Sequence, residues 1–168
     1  MPDLDPFAPL VLTAADGARA EVLPYGAHVT AWHPAPDTPG GGAERLYLSA
    51  RAERRAGAAV RGGVPVCWPQ FADQGPLPKH GFARTRPWAV ADAGRDADGA
   101  GRATLVLEDD AETRALWPHA FRCMLTVRVA GAGLDVELTV ENRGDAPLAF
   151  TGALHTYLAV GDVEAARV

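Results

Sequence analysis

The sequence lacks any long apolar segment. No run approaches the roughly 18 consecutive apolar residues that a membrane-spanning helix needs. The first ten residues, MPDLDPFAPL, have neither the basic start nor the apolar centre of a signal peptide. These absences predict a cytoplasmic protein that does not enter a membrane.

Positive charge is also in short supply. The 168 residues carry 16 Lys and Arg against 21 Asp and Glu, which leaves a formal net charge of −5, and Lys79 is the only lysine. Such a surface has no general reason to attract nucleic acid or anionic lipid. We therefore expect a small polar molecule as the partner.

Cysteine and metal-binding patterns are equally sparse. The two cysteines, Cys67 and Cys123, lie far apart in apolar runs, which predicts buried free thiols and no disulfide. The five histidines form no His-x-His pair, and there is no Cys-x-x-Cys. We predict no metal site, although a metal-dependent β-barrel whose ligands meet only on folding is an alternative.

What the sequence does contain is a β pattern. In LDVELTVE at 134–141 apolar and polar residues alternate, as they do in CMLTVRVA at 123–130. The short GAG at 131–133 between them is typical of a β-hairpin. With 48% hydrophobic residues, the chain can bury a core.

Similar strands are predicted along most of the chain, separated by Gly, Pro and Asp clusters. Only 109–118, DDAETRALWP, favours a helix, of one or two turns ended by Pro118. We expect one all-β domain over 1–168, an antiparallel β-sandwich. Its further strands are PLVLTAA, ARAEVLP, HVTAWHP, ERLYLS, RPWAVADA, RATLVLED and PLAFTGALHTYLAV.

The segment 61–79 interrupts this rhythm. Its four prolines each remove a backbone donor, so it cannot be a central strand. We predict a long, structured loop. Such loops often carry binding groups, although many only cover the open end of a sandwich.

His155 is unusual because it interrupts the apolar run ALHTYL. Burying an imidazole costs free energy unless it finds partners. A core histidine that hydrogen-bonds to backbone or water explains His155 as well as a catalytic role does.

Positive groups cluster around the same loop. Lys79 and Arg84 lie in KHGFAR, and Arg61 lies at the loop's other end. A guanidinium presents a planar fork that fits phosphate or carboxylate, so we predict an anion site. The alternative is a solvated basic loop balanced by Asp73 and other surface acids.

Taken in order, several motifs resemble the aldose 1-epimerase superfamily. They are LPYGAHVTAWHP, RGGVPVCWPQF, LPKHGFAR, WPHAFRCMLTVRV and, after ENRGDAP, FTGALHTYLAV. The resemblance is greatest to the branch that acts on hexose 6-phosphates, the glucose-6-phosphate 1-epimerases. It implies a galactose mutarotase-like supersandwich with no metal or organic cofactor, of which this chain would be the N-terminal part.

The resemblance also implies an activity: interconversion of the α and β anomers of a hexose 6-phosphate by acid/base ring opening. His155 would be the general acid, and His80 would hydrogen-bond the sugar near its ring oxygen. Arg61 and Arg84 would hold the 6-phosphate. Lys79 stands where this branch has Gln, and it would either add charge to the phosphate site or displace a sugar contact.

One part of the family site has no counterpart. The family's general base is a glutamate in a late strand, whereas Glu137, Glu141 and Glu164 lie in middle strands or near the end of this sequence. We therefore expect a domain that is incomplete at its C-terminus, with exposed strand edges through which it could self-associate. The alternative function is a noncatalytic carbohydrate- or phosphosugar-binding sandwich.

Overall fold

The structure, a computed structural model, describes residues 5–167 and consists almost entirely of antiparallel β-strands. The strands are β1 (Leu10–Thr13), β2 (Arg19–Leu23), β3 (His28–His33), β4 (Val66–Cys67), β5 (Ala89–Arg95), β6 (Gly101–Glu108), β7 (Phe121–Ala130), β8 (Gly133–Asn142) and β9 (Ala153–Leu154). Two sheets, of strand order β1-β2-β3 and β5-β6-β7-β8, pack against each other, and a short pair, β4 and β9, lies beside them. This architecture confirms the predicted all-β sandwich.

The hairpin of β7 and β8 forms as the alternating pattern predicts. Leu125 pairs with Leu138 and Val127 with Val136, so both apolar sets face the other sheet. The inward-facing residues of β7 are buried, whereas their partners on β8 are only half-buried. The reason is position, because β8 has no further strand beside it among residues 5–167. Self-association through such an edge stays a prediction.

The helix α1 (Ala111–Leu116) lies where the sequence predicts it. Asp110 begins it: the Asp110 side chain accepts the Thr113 N–H at 2.7 Å, and the Thr113 hydroxyl accepts the Asp110 N–H at 2.8 Å. This reciprocal arrangement satisfies two backbone donors at the start of the helix. A short 3-10 helix, Ala83–Thr85, is the other helical element in the described part of the chain.

Two strand predictions are wrong in detail. ERLYLS makes only isolated bridges, of Leu46 to Leu158 and Leu48 to Gly62. In PLAFTGALHTYLAV only Ala153–Leu154 is a strand, because its ladder partner, β4, offers just two residues within the proline-rich loop. That loop is largely irregular, as predicted, apart from β4.

Both cysteines are free and buried, as the sequence predicts. Burial raises the pKa of the Cys67 thiol and raises that of Cys123 to about 12. These thiols are therefore unreactive core residues. No helix among residues 5–167 has the length and apolar character to cross a membrane.

Candidate active site

The turn at Arg61, Gly62 and Gly63 forms one wall of the site. Gly63 has φ +61°, and a Cβ there would lie 2.2 Å from the Val29 carbonyl oxygen, so only glycine fits. Hydrogen bonds to the neighbouring segment fix the turn: the Ser49 N–H donates to the Arg61 carbonyl at 3.0 Å. The turn thus holds the backbone of Arg61 in place while its side chain stays exposed.

Pairing of β4 with β9 brings His155 to this turn. The His155 N–H donates to the Pro65 carbonyl at 3.1 Å, and the Tyr157 N–H donates to the Gly63 carbonyl at 2.9 Å. The His155 and Tyr157 rings stack with centroids 4.8 Å apart. His155 is half-buried beside the turn, so it is not the enclosed core histidine of the alternative interpretation.

His80 is held by the far end of the proline-rich loop. Its N–H donates to the Ala72 carbonyl at 3.0 Å, and its Nδ1 accepts the Ala72 N–H at 3.2 Å. Because Nδ1 is an acceptor, the proton of the neutral ring lies on Nε2. Partial burial lowers the pKa of His80, and Arg84, His155 and Lys79 lower it further. His80 is therefore suited to donate a hydrogen bond from Nε2.

Gln70 organises the loop behind His80, and sequence reasoning missed it. The side chain is buried; its amide N–H groups donate to the Ala72 and Leu77 carbonyls at 3.0 and 3.1 Å, and its oxygen accepts the Leu77 N–H at 2.9 Å. A buried amide with every bond made to one loop stiffens that loop. Only its position in WPQF, beside the prolines, could have indicated it.

The two histidines meet although they are distant in sequence. The His80 and His155 rings lie with centroids 5.9 Å apart and planes at 86°, and the Phe71 ring packs near both, at 5.3 and 6.3 Å. One small ligand can therefore contact both imidazoles.

Next to His155 lies a cavity of about 850 Å³ with arginines in its wall. Arg61 and Arg84 both line it, together with Pro65 and Tyr157, which adjoin His155. Arg84 donates from Nη2 to the Lys79 carbonyl at 2.9 Å, while its buried Nε has no partner among residues 5–167. Guanidinium groups in the wall of a cavity favour an anionic ligand.

The wall contains two further arginines that sequence reasoning missed, Arg51 and Arg55. The sequence feature that could have indicated them is the charged run RAERR at 51–55, but no pattern in the sequence links this run to the proline-rich loop. The cavity's carboxylate, Glu53, is bound by Arg55 at 2.5 Å.

Lys79 does not join this group. Its Nζ lies 3.5 Å from the Asp73 carboxylate, both side chains are well exposed, and Lys79 does not line the arginine-walled cavity. Asp73 thus balances Lys79, as the solvated-loop alternative expected, whereas Arg61 and Arg84 have no acidic partner among the described residues. Over residues 5–167, no group of three or more His, Cys, Asp or Glu could hold a metal ion.

The sequence and the fold correspond to a known family. A family model described as aldose 1-epimerase matches residues 9–168. Because the match covers nearly the whole chain, the protein belongs to the aldose 1-epimerase family.

Two curated relatives of this chain bear the name "putative glucose-6-phosphate 1-epimerase". The Escherichia coli K12 protein is 41% identical over 157 residues, which covers 92% of this chain and 49% of the relative. The Salmonella typhimurium LT2 protein is 38% identical over 169 residues, covering 99% and 52%. The chain spans about half the length of the curated relatives it matches.

Solved structures agree on the fold. A "putative mutarotase" from Salmonella typhimurium superposes with a TM-score of 0.73 at 38% identity, covering 86% of this chain and 46% of that chain. A galactose mutarotase related enzyme from Lactobacillus acidophilus has a TM-score of 0.71 at 17% identity, covering 95% and 52%. The second likeness concerns the fold alone, and both place this chain within the mutarotase-like sandwich.

Proposed function

We propose that this chain binds a hexose 6-phosphate and supplies the proton-donating side of a mutarotase site. The observation that carries the proposal is that the arginine-lined cavity adjoins the histidine pair. Pro65 and Tyr157 line the cavity, the Tyr157 ring stacks on His155, and the His155 ring contacts His80. A hexose 6-phosphate has the matching chemistry, with a phosphate dianion at one end and a cyclic hemiacetal at the other.

In this proposal, Arg61 and Arg84 bind the phosphate with charge-assisted hydrogen bonds. The sugar ring then extends towards the histidines. His80 donates from Nε2 to an oxygen of the sugar, and this hydrogen bond strengthens as negative charge develops there. Lys79, which pairs with Asp73, is an outer contact in this proposal.

Ring opening needs two proton transfers that balance. A base removes the proton of the anomeric hydroxyl, the C1–O5 bond breaks as the carbonyl forms, and an acid protonates O5. We assign the acid to His155 as an imidazolium. Rotation about C1–C2 and the reverse transfers close the ring as the other anomer.

The base is the missing component. Within residues 5–167 no glutamate forms a hydrogen bond or ion pair with His80 or His155. Glu137 and Glu141 lie on β8, and Glu53 is bound by Arg55. The observation that favours the second candidate, a noncatalytic phosphosugar-binding module, is this absence among residues 5–167. Both candidates share the same arginine-lined site.

The rate of exchange between the anomers of glucose 6-phosphate, measured by NMR magnetisation transfer, distinguishes the two candidate functions. Acceleration that disappears in His155→Ala supports the mutarotase, whereas binding without acceleration supports the module. Arg61→Ala and Arg84→Ala should each weaken glucose 6-phosphate binding about tenfold to a hundredfold without affecting glucose. The control is Arg143→Ala, an exposed arginine that contacts Glu141. Equal loss for both sugars would overturn the phosphate assignment.

A further inference from the structure

His28 lies directly behind the Arg61 turn, and neither the family motifs nor the proposed chemistry gave it a role. It is the first residue of β3 and is fully buried. Its Nε2 lies 2.7 Å from the Gly62 carbonyl oxygen. A carbonyl only accepts, so Nε2 carries the proton and donates.

With this hydrogen bond, each of the three carbonyl oxygens of the turn has a donor. The Arg61 carbonyl accepts from the Ser49 N–H and the Gly63 carbonyl from the Tyr157 N–H, while the buried Gly62 carbonyl receives the His28 donor. Without His28 the Gly62 oxygen would be a buried acceptor with no partner among residues 5–167, and the turn would have to shift to hydrate it.

Gly63 permits the close approach of His28. A Cβ at Gly63 would lie 2.8 Å from His28 Nε2, so the glycine allows the imidazole to reach its neighbour's carbonyl. Residues of the proposed site lie on both sides of Gly62. Arg61 precedes it, and the Gly63 and Pro65 carbonyls that follow accept the Tyr157 and His155 N–H groups.

We propose that His28 is a positioning residue for the substrate site. By holding the Gly62 carbonyl from behind, it fixes a turn that directs Arg61 into the cavity on one side and anchors the His155 segment on the other. The inference rests on the proposed function in so far as Arg61 binds phosphate.

The state of the ring suits this role. Burial lowers the pKa of His28 to about 4, with a smaller lowering from Arg84 and Arg54. The ring is therefore neutral at pH 7, with its single proton on Nε2. Its other nitrogen, Nδ1, is buried and has no partner in the described part of the chain, so the Gly62 contact is the one polar bond that the side chain makes there.

Two substitutions separate this role from general packing. In His28→Gln the side-chain amide reaches about as far as Nε2 and can still donate to Gly62, whereas the shorter amide of His28→Asn cannot. The matched control is Thr30→Val. Thr30 is also buried on β3, and the substitution removes the hydrogen bond that its hydroxyl donates to the Glu21 carbonyl.

Each variant is titrated with glucose 6-phosphate and with inorganic phosphate, followed by ¹⁵N NMR. We expect His28→Asn to weaken both ligands about tenfold, and His28→Gln and Thr30→Val to bind as the unmodified chain does. If His28→Asn binds normally while Arg61→Ala does not, the positioning role is refuted.

A second measurement needs no ligand. Hydrogen exchange at the Gly63 and Tyr157 amides should be faster in His28→Asn than in His28→Gln. If the unmodified chain binds neither ligand, the phosphate assignment fails, and this exchange still decides the inference: faster exchange supports the positioning role, and unchanged exchange refutes it.

Discussion

Lowering the pH should weaken this fold through His28. The unfolded chain would protonate this histidine near 6.5, whereas burial lowers the folded pKa to about 4. Between these values the unfolded state binds the extra proton and the folded state does not, so the free energy of unfolding falls as the pH falls. Linkage gives a loss of about 2 kcal/mol between about pH 7.5 and about pH 5.

The size of this expected loss in unfolding free energy follows from the surroundings of the imidazole. The ring is fully buried and donates one hydrogen bond, to the Gly62 carbonyl. The charges of Arg84 and Arg54 also lower its pKa, and no carboxylate raises it. Water therefore screens it little, and no acid offsets the charged ring. Protonation would also give Nδ1 a proton for which the described residues provide no acceptor.

The assay is urea unfolding at the two pH values for the unmodified chain, His28→Gln and Thr30→Val. Other groups whose pKa is lowered, such as His80 and Asp16, are common to all three proteins and cancel in the comparison. We expect His28→Gln to lose about 2 kcal/mol less than the unmodified chain on acidification. Equal losses in all three proteins would refute the argument.

Two further predictions concern the loop that carries His80. Gly81→Ala should destabilise the fold by at least about 2 kcal/mol in thermal melts, because a Cβ there would lie 2.2 Å from the Trp68 carbonyl oxygen; Gly57→Ala, also at positive φ but in open space, should cost clearly less. Gln70→Leu should expose the loop to proteolysis, since three hydrogen bonds are lost, whereas the exposed Gln74→Leu in the same loop should not; equal cleavage of both would contradict the role given to Gln70.

The regular strands could be predicted because their signal is local. Strict alternation in β7 and β8, with Gly-rich residues between them, specifies a hairpin whatever lies elsewhere. The segments at 44–49 and 147–160 were predicted less well. Their apolar residues resemble strand residues, but whether they join a ladder depends on partners at Gly62 and Val66–Cys67, far along the chain.

For the candidate site, sequence reasoning named residues but not their arrangement. Arg61, Arg84, His80 and His155 came from motifs, and the structure brings the arginines to one cavity and the histidines into contact. Lys79 came from the same motifs, yet it pairs with Asp73 outside that cavity.

Local pattern was thus sufficient for the β class, the hairpin, the short helix and the irregular loop, because alternation, turn glycines and prolines act over a few residues. The buried roles of His28 and Gln70 could be recognised only in the folded chain. Each is defined by a backbone group that it satisfies, and the Gly62 carbonyl, 34 residues from His28, becomes a buried acceptor only when β3 and the Arg61 turn pack together.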